Sequence, residues 1–163
     1  MILGMSTAAF TLLHVILSLI GIATGFVVLF GFFSGRVLKP WNAIFLLTTI
    51  LTSASGFAFP FTHLSPGHIL GILSLLVLAP AVLALYGRHL AGPWQRTYVI
   101  AAAIALYFNT FVLVVQLFGK VPALKALAPT QSEPPFAIAQ LLLLVLFVVL
   151  TVLAAKKMRP QIA

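Results

Sequence analysis

The sequence predicts an all-α integral membrane bundle of five transmembrane helices, and three observations lead there. Hydrophobic residues make up 63% of the 163-residue chain and charged residues 6%, with a mean hydropathy of +1.23. A soluble domain carries roughly 45–50% apolar and about 25% charged residues. The apolar residues fall into five runs, each near the roughly 20 residues that a helix needs to cross a hydrocarbon core at 1.5 Å per residue. Those runs are continuous instead of alternating. In hydrocarbon every backbone N–H and C=O must be paired, and continuous runs satisfy this as helices, not as barrel strands.

The first run covers residues 8 to 33. It has no basic residues ahead of it and no clear small-residue cleavage site, so it reads as a retained span and not as a signal peptide. Gly21 and Gly25 within it form a GxxxG, suited to close helix contact or dimerisation. A turn from Ser34-Gly35-Arg36 through Lys39-Pro40 leads to the second run, residues 42 to 61. Thr52, Ser53 and Ser55 lie late in it, where hydroxyls commonly bond their own i−4 carbonyls or let helices approach.

The break from Thr62 to Gly67 precedes the third run, residues 68 to 87, which contains a second GxxxG at Gly67 and Gly71 and a kinking Pro80. Gly87-Arg88-His89 through Gly92-Pro93 then turns the chain into the fourth run, residues 97 to 118. Trp41, Trp94 and Tyr98 fall where an inner aromatic belt belongs. The stretch from Gly119 to Pro135 is the most distinctive. Residues 121 to 128 are amphipathic enough to lie in the interface, with Lys120 and Lys125 reaching headgroups. Ser132 is expected to cap the fifth run, residues 135 to 155, with Glu133 at the positive end of its dipole and Pro134 and Pro135 in its first turn. No break leaves room for a soluble domain, so residues 1–163 read as a single transmembrane domain.

Orientation follows from basic residues in the breaks. Arg36, Lys39, Arg88, Arg96, Lys156, Lys157 and Arg159 fall on one side, against Lys120 and Lys125 on the other. The positive-inside rule then puts the N-terminus outside and the C-terminus in the cytoplasm. Nine Lys and Arg at helix ends are what membrane orientation alone requires, so the net charge of +8 is no sign of nucleic-acid binding.

With that topology, His14, His63 and His68 gather towards the outer face, and His89 alone is cytoplasmic. Ser18, Asn109, Gln116 and Gln140 lie at the same outer level. An ionisable side chain within hydrocarbon needs a partner in the bundle, which makes His14 the prime candidate, followed by His68 at the first turn of the third run. Glu133, the one acidic residue, would complete a set able to ligate a cation, accept a proton or orient an imidazole.

Several chemistries are excluded. With no cysteine, the chain forms no disulfide, thiolate metal site or iron–sulfur cluster. One acid rules out paired-carboxylate catalysis, and there is neither an HxxxH cluster of the membrane di-iron desaturases nor a GxSxG. Proton-coupled transport favours ionisable groups at midplane, where Asn109 is the only strongly polar residue.

Two imidazole chemistries remain. Haem b takes axial histidines on neighbouring helices at equal depth, from His14 with His68 or His63, with a quinone bound beside it through imidazole and amide hydrogen bonds. No arginine on the outer side is present to meet haem propionates. Alternatively, two or three imidazoles with Glu133 hold zinc or copper.

The stretch Thr52-Ser53-Ala54-Ser55-Gly56-Phe57-Ala58-Phe59-Pro60, running on into Pro66-Gly67-His68-Ile69-Leu70-Gly71, and the later Ala128-Pro129-Thr130-Gln131-Ser132-Glu133-Pro134-Pro135-Phe136 resemble small multi-pass inner-membrane proteins of uncharacterised bacterial families. That resemblance implies a bacterial inner membrane and carries no activity. The expectation is therefore a histidine-lined outer site for haem or a divalent metal in quinone-linked electron transfer. Its rivals are a non-enzymatic accessory or assembly subunit in a larger membrane complex or homo-oligomer, and a small transporter or lipid-binding protein.

Overall fold

A computed structural model of the chain describes residues 1–60 and 63–158. Six helices account for most of them: α1 (Thr7–Phe33), α2 (Lys39–Ser55), α3 (Pro66–Val82), α4 (Trp94–Lys120), α5 (Pro122–Leu127) and α6 (Pro134–Lys157). A 3₁₀ turn, Gly56–Ala58, extends α2, and a π turn, Leu83–Gly87, extends α3. Counted with these extensions, five helices are long and apolar enough to cross a membrane, and the protein is a multi-pass, all-helical membrane protein. The expected spans match them to within a few residues. Phe61 and Thr62, expected at the end of the second span and in the turn after it, and Arg159 of the basic flank lie outside the described residues.

Local chemistry sets the helix ends. Ser6 caps α1 by accepting from the Ala9 N–H at 3.2 Å, and Ser65 caps α3 in a reciprocal box whose other half is the His68 side chain. Pro80 sits inside α3 and cannot bond back to the carbonyl four residues earlier. Three residues after Pro80, at Leu83, the backbone widens into the π turn.

The expected cap of the fifth span is corrected. Glu133, not Ser132, occupies the N-cap of α6, and no side chain caps it. The Glu133 carboxylate instead folds back, accepting from the Thr130 hydroxyl at 2.8 Å and from the backbone N–H groups of Thr130 and Ser132. The tight turn at Gln131, with φ of 59°, brings those donors round to it. Pro134 and Pro135 do fall in the first turn.

α4 is the centre of the bundle, contacting α1, α3 and α6, while α1 also lies along α2, and α2 along α3. Small residues allow this: Ala101, Ala102, Ala103 and Ala105 are all buried on α4. Gly25 of α1 is where three helices converge. A Cβ there would lie 2.5 Å from Leu106 Cδ1 of α4 and 2.9 Å from Phe45 Cε2 of α2. Gly71 meets the Phe57 ring in the same way at 3.2 Å. Gly21, Gly25 and Gly71 therefore serve close contact within the chain, whereas a Cβ on Gly67 would meet only Ser65 Oγ at 3.7 Å. Tyr98 and Asn42, both fully buried, join α4 to α2 through a bond from the tyrosine hydroxyl to Asn42 Oδ1.

Candidate functional site

The helix ends that carry His14, Ser55, His68 and Gln116 enclose a cavity of about 280 Å³. Each wall follows helical periodicity. α1 contributes His14 and Ser18 at i and i+4, and α2 contributes Thr49, Thr52, Ser53 and Gly56 at i, i+3, i+4 and i+7. α3 adds His68, Gly71 and Ser74, and α4 adds Phe108, Asn109, Val112 and Gln116.

The hydrogen bonds fix what the two imidazoles offer. Ser55 Oγ donates its single proton to the Thr52 carbonyl at 3.1 Å and lies 2.8 Å from His14 Nδ1, so Nδ1–H is the donor of that pair. His14 Nε2 is then a bare acceptor. At His68 the assignment reverses, because Nδ1 accepts from the Ser65 backbone N–H at 3.2 Å and contacts Ser65 Oγ at 2.6 Å. Its Nε2 therefore carries the proton. Rings hold both imidazoles in place: Phe59 stands edge-on to His14 at 5.3 Å between centroids, and Phe57 lies 5.8 Å from His68.

Two further groups in the wall are unusual. Thr49, 1% exposed, and Thr52 both present buried hydroxyls with no hydrogen-bond partner. Most hydroxyls on the spans behave otherwise: Thr24, Thr48, Thr110 and Thr151 all donate to i−4 carbonyls. A buried hydroxyl without a partner costs about 1–3 kcal/mol, so two of them side by side on α2 are a local cost that the rest of the bundle must offset. Asn109 is fixed by Ser18, whose hydroxyl donates to Asn109 Oδ1 at 2.8 Å. No lysine, arginine or carboxylate lines the cavity. What it offers is a neutral surface of donors and acceptors with aromatic walls.

Of the residues singled out in the sequence, His14, His68, Ser18, Asn109 and Gln116 share this cavity. His63, Glu133 and Gln140 do not line it. His63 is exposed, and Gln140 instead ties α6 to α4 by donating to the Phe111 carbonyl at 3.3 Å. Glu133 is engaged with Thr130 and Ser132. Burial would raise its pKa, but the Thr130 hydroxyl and the backbone N–H groups outweigh this and hold the carboxyl below the usual range. The expected metal set of His14, His63, His68 and Glu133 is not assembled: among the described residues no three His, Cys, Asp or Glu side chains come together.

Sequence reasoning missed Thr49 and Ser74. Thr49 stands three and four residues before Thr52 and Ser53, on the same helical face, and that spacing is the signal that would have found it. No family model, no curated protein and no solved structure matches the chain.

Proposed function

We propose that this protein binds, in the outer half of a bacterial inner membrane, the head of a small neutral lipid-soluble molecule bearing carbonyl or hydroxyl oxygens, of the quinone and quinol class. The observation that carries the reading is one cavity lined by His14 together with Thr49 and Thr52, whose buried hydroxyls have no hydrogen-bond partner. A quinone offers two carbonyl acceptors, which the Thr49 and Thr52 hydroxyls suit. A quinol hydroxyl is a donor, which His14 Nε2 suits as acceptor. Phe59 and Phe108 supply flat apolar walls for a ring.

Size and charge favour this ligand over the others. A cavity of about 280 Å³ lies at the small end of roughly 300–1,000 Å³ for ligand pockets, which suits one or two fused rings better than a tetrapyrrole. Its wall has no cation for haem propionates and no carboxylate for a divalent metal.

Binding of a short-chain benzoquinone and of its quinol to protein in lipid nanodiscs tests the proposal, with empty nanodiscs as the partition control. His14→Ala is expected to weaken quinol binding about tenfold and Thr49→Val quinone binding by a similar factor, a factor of ten being about 1.4 kcal/mol. His89→Ala, at the other end of the bundle, leaves both unchanged. Uptake no greater than that of empty nanodiscs defeats the proposal.

A further inference from the structure

The opposite end of the bundle holds a second cavity, of about 750 Å³, and its character is cationic. Arg36, Lys39 and His89 line it together with Gln95. The only acidic side chain in the sequence, Glu133, stands at the start of α6, whereas α6 reaches this cavity at its far end through Met158. That helix has 24 residues, a length of about 36 Å. No side-chain carboxylate is within reach to neutralise Arg36 and Lys39. Arg88, a near neighbour in sequence, does not line the cavity and is occupied over the Trp94 ring at 5.3 Å.

Gln95 supplies an independent sign of a ligand. It is 4% exposed and lines the cavity, yet its Oε1 is buried with no partner. An amide turned by 180° presents its NH₂ at the same place, so this side chain can offer a donor to an acceptor from outside the protein. Lys39 and Gln95 also stand in the first turns of α2 and α4, where open backbone N–H groups add to the positive field.

We propose that this cavity binds a phosphate-bearing anion, in the membrane the phosphodiester headgroup of an anionic lipid. The Arg36 guanidinium matches two phosphate oxygens as a fork, Lys39 and His89 add point donors, and the Gln95 amide takes a third oxygen. The cavity lies at the end of the spans where basic residues are densest, at the level where lipid phosphates stand. The site is separate from the histidine cavity and does not depend on its ligand.

The test measures thermal stabilisation of detergent-solubilised protein titrated with phosphatidylglycerol, with phosphatidylcholine, and with inorganic phosphate. Phosphatidylglycerol is expected to stabilise the protein saturably and phosphatidylcholine not. Arg36→Gln with Lys39→Gln should weaken the effect on the order of thirtyfold, at about 1 kcal/mol for each basic residue. Gln95→Leu should weaken it as well, without any change of charge. Arg88→Gln with Lys156→Gln removes the same charge outside the cavity and should have little effect. If inorganic phosphate saturates with the same residue dependence, the anion is free phosphate and not a lipid. Equal weakening by the two charge-matched pairs, or none by Gln95→Leu, overturns the site in favour of diffuse surface charge.

Discussion

Ser18 and Asn109 are tied twice across the contact between α1 and α4. The serine hydroxyl donates to Asn109 Oδ1 at 2.8 Å, and Asn109 Nδ2 reaches back to the Ser18 carbonyl at 3.4 Å. Asn109 is thereby held in the wall of the histidine cavity, with its Nδ2 only 3.1 Å from where a Cβ on Gly21 would be. Hydrogen bonds between membrane helices average about 0.6 kcal/mol and reach about 1.7 kcal/mol. Asn109→Ala is therefore expected to lower stability in detergent by about 1 kcal/mol, and Ser18→Ala on that background to add almost nothing. Fully additive losses in a double-mutant cycle would dissociate the two side chains.

Gly25 makes a sharper prediction. With Leu106 Cδ1 at 2.5 Å and Phe45 Cε2 at 2.9 Å from a Cβ, even alanine forces both neighbours to move. Overpacking of this kind costs about 1–3 kcal/mol, so Gly25→Ala destabilises and Gly25→Leu prevents folding. Leu106→Ala should restore part of the loss in Gly25→Ala by emptying the contested space. Gly67→Ala is the control, because its Cβ would meet only Ser65 Oγ at 3.7 Å. Equal unfolding midpoints for Gly25→Ala and the unchanged protein would contradict the packing.

Position along the helices was legible in the sequence, and direction around the helix only partly so. Counting residues from the ends of the apolar runs grouped His14, Ser18, Asn109, Gln116 and Gln140 at one level, with His63, His68 and Glu133 towards the same face. Only the packing order shows that α6 rests on α4 and α1, and Glu133 at its start does not line the cavity of His14. The glycine pairs read equally well as surfaces for a partner until Phe45, Leu106 and Phe57 are found filling the space in front of them. Thr49 was hidden for a related reason. A threonine bonded to its own helix and one whose hydroxyl is left without a partner look alike in a sequence, and the difference lies in whether the hydroxyl has found a carbonyl.

Glu133 gives a pH prediction whose sign follows from its partners. Its carboxyl is held below the ordinary range of about 4.3, so the turn it organises gains stability from the ionised form. That contribution is complete above the ordinary value and disappears as the pH falls through the depressed one. Hydrogen-exchange protection at the Thr130 and Ser132 amides should accordingly persist through mild acid and be lost only below it. Glu133→Gln should show weak protection at every pH. Strong, pH-independent protection in that variant would mean that the carboxylate does not order the turn.

Orientation is the last expectation, and both proposed sites depend on it for their side of the membrane. By sequence, seven basic residues fall in the breaks and flank on the side where α1 finishes and α6 ends, and two on the side that holds His14 and His68. A difference of five Lys and Arg in breaks this short should set the direction of insertion. A C-terminal alkaline phosphatase fusion is therefore expected to be inactive and a C-terminal green fluorescent protein fusion to fluoresce. The reverse result would turn the histidine cavity towards the cytoplasm and the cationic cavity towards the outer leaflet. Neither cavity would lose its chemistry, because the bond from His14 to Ser55 and the lack of an Asp or Glu side chain near Arg36 are properties of the chain. What would change is the pool each one meets. The cationic cavity would then face outer-leaflet headgroups, and the neutral cavity would exchange its ligand with the inner half of the bilayer.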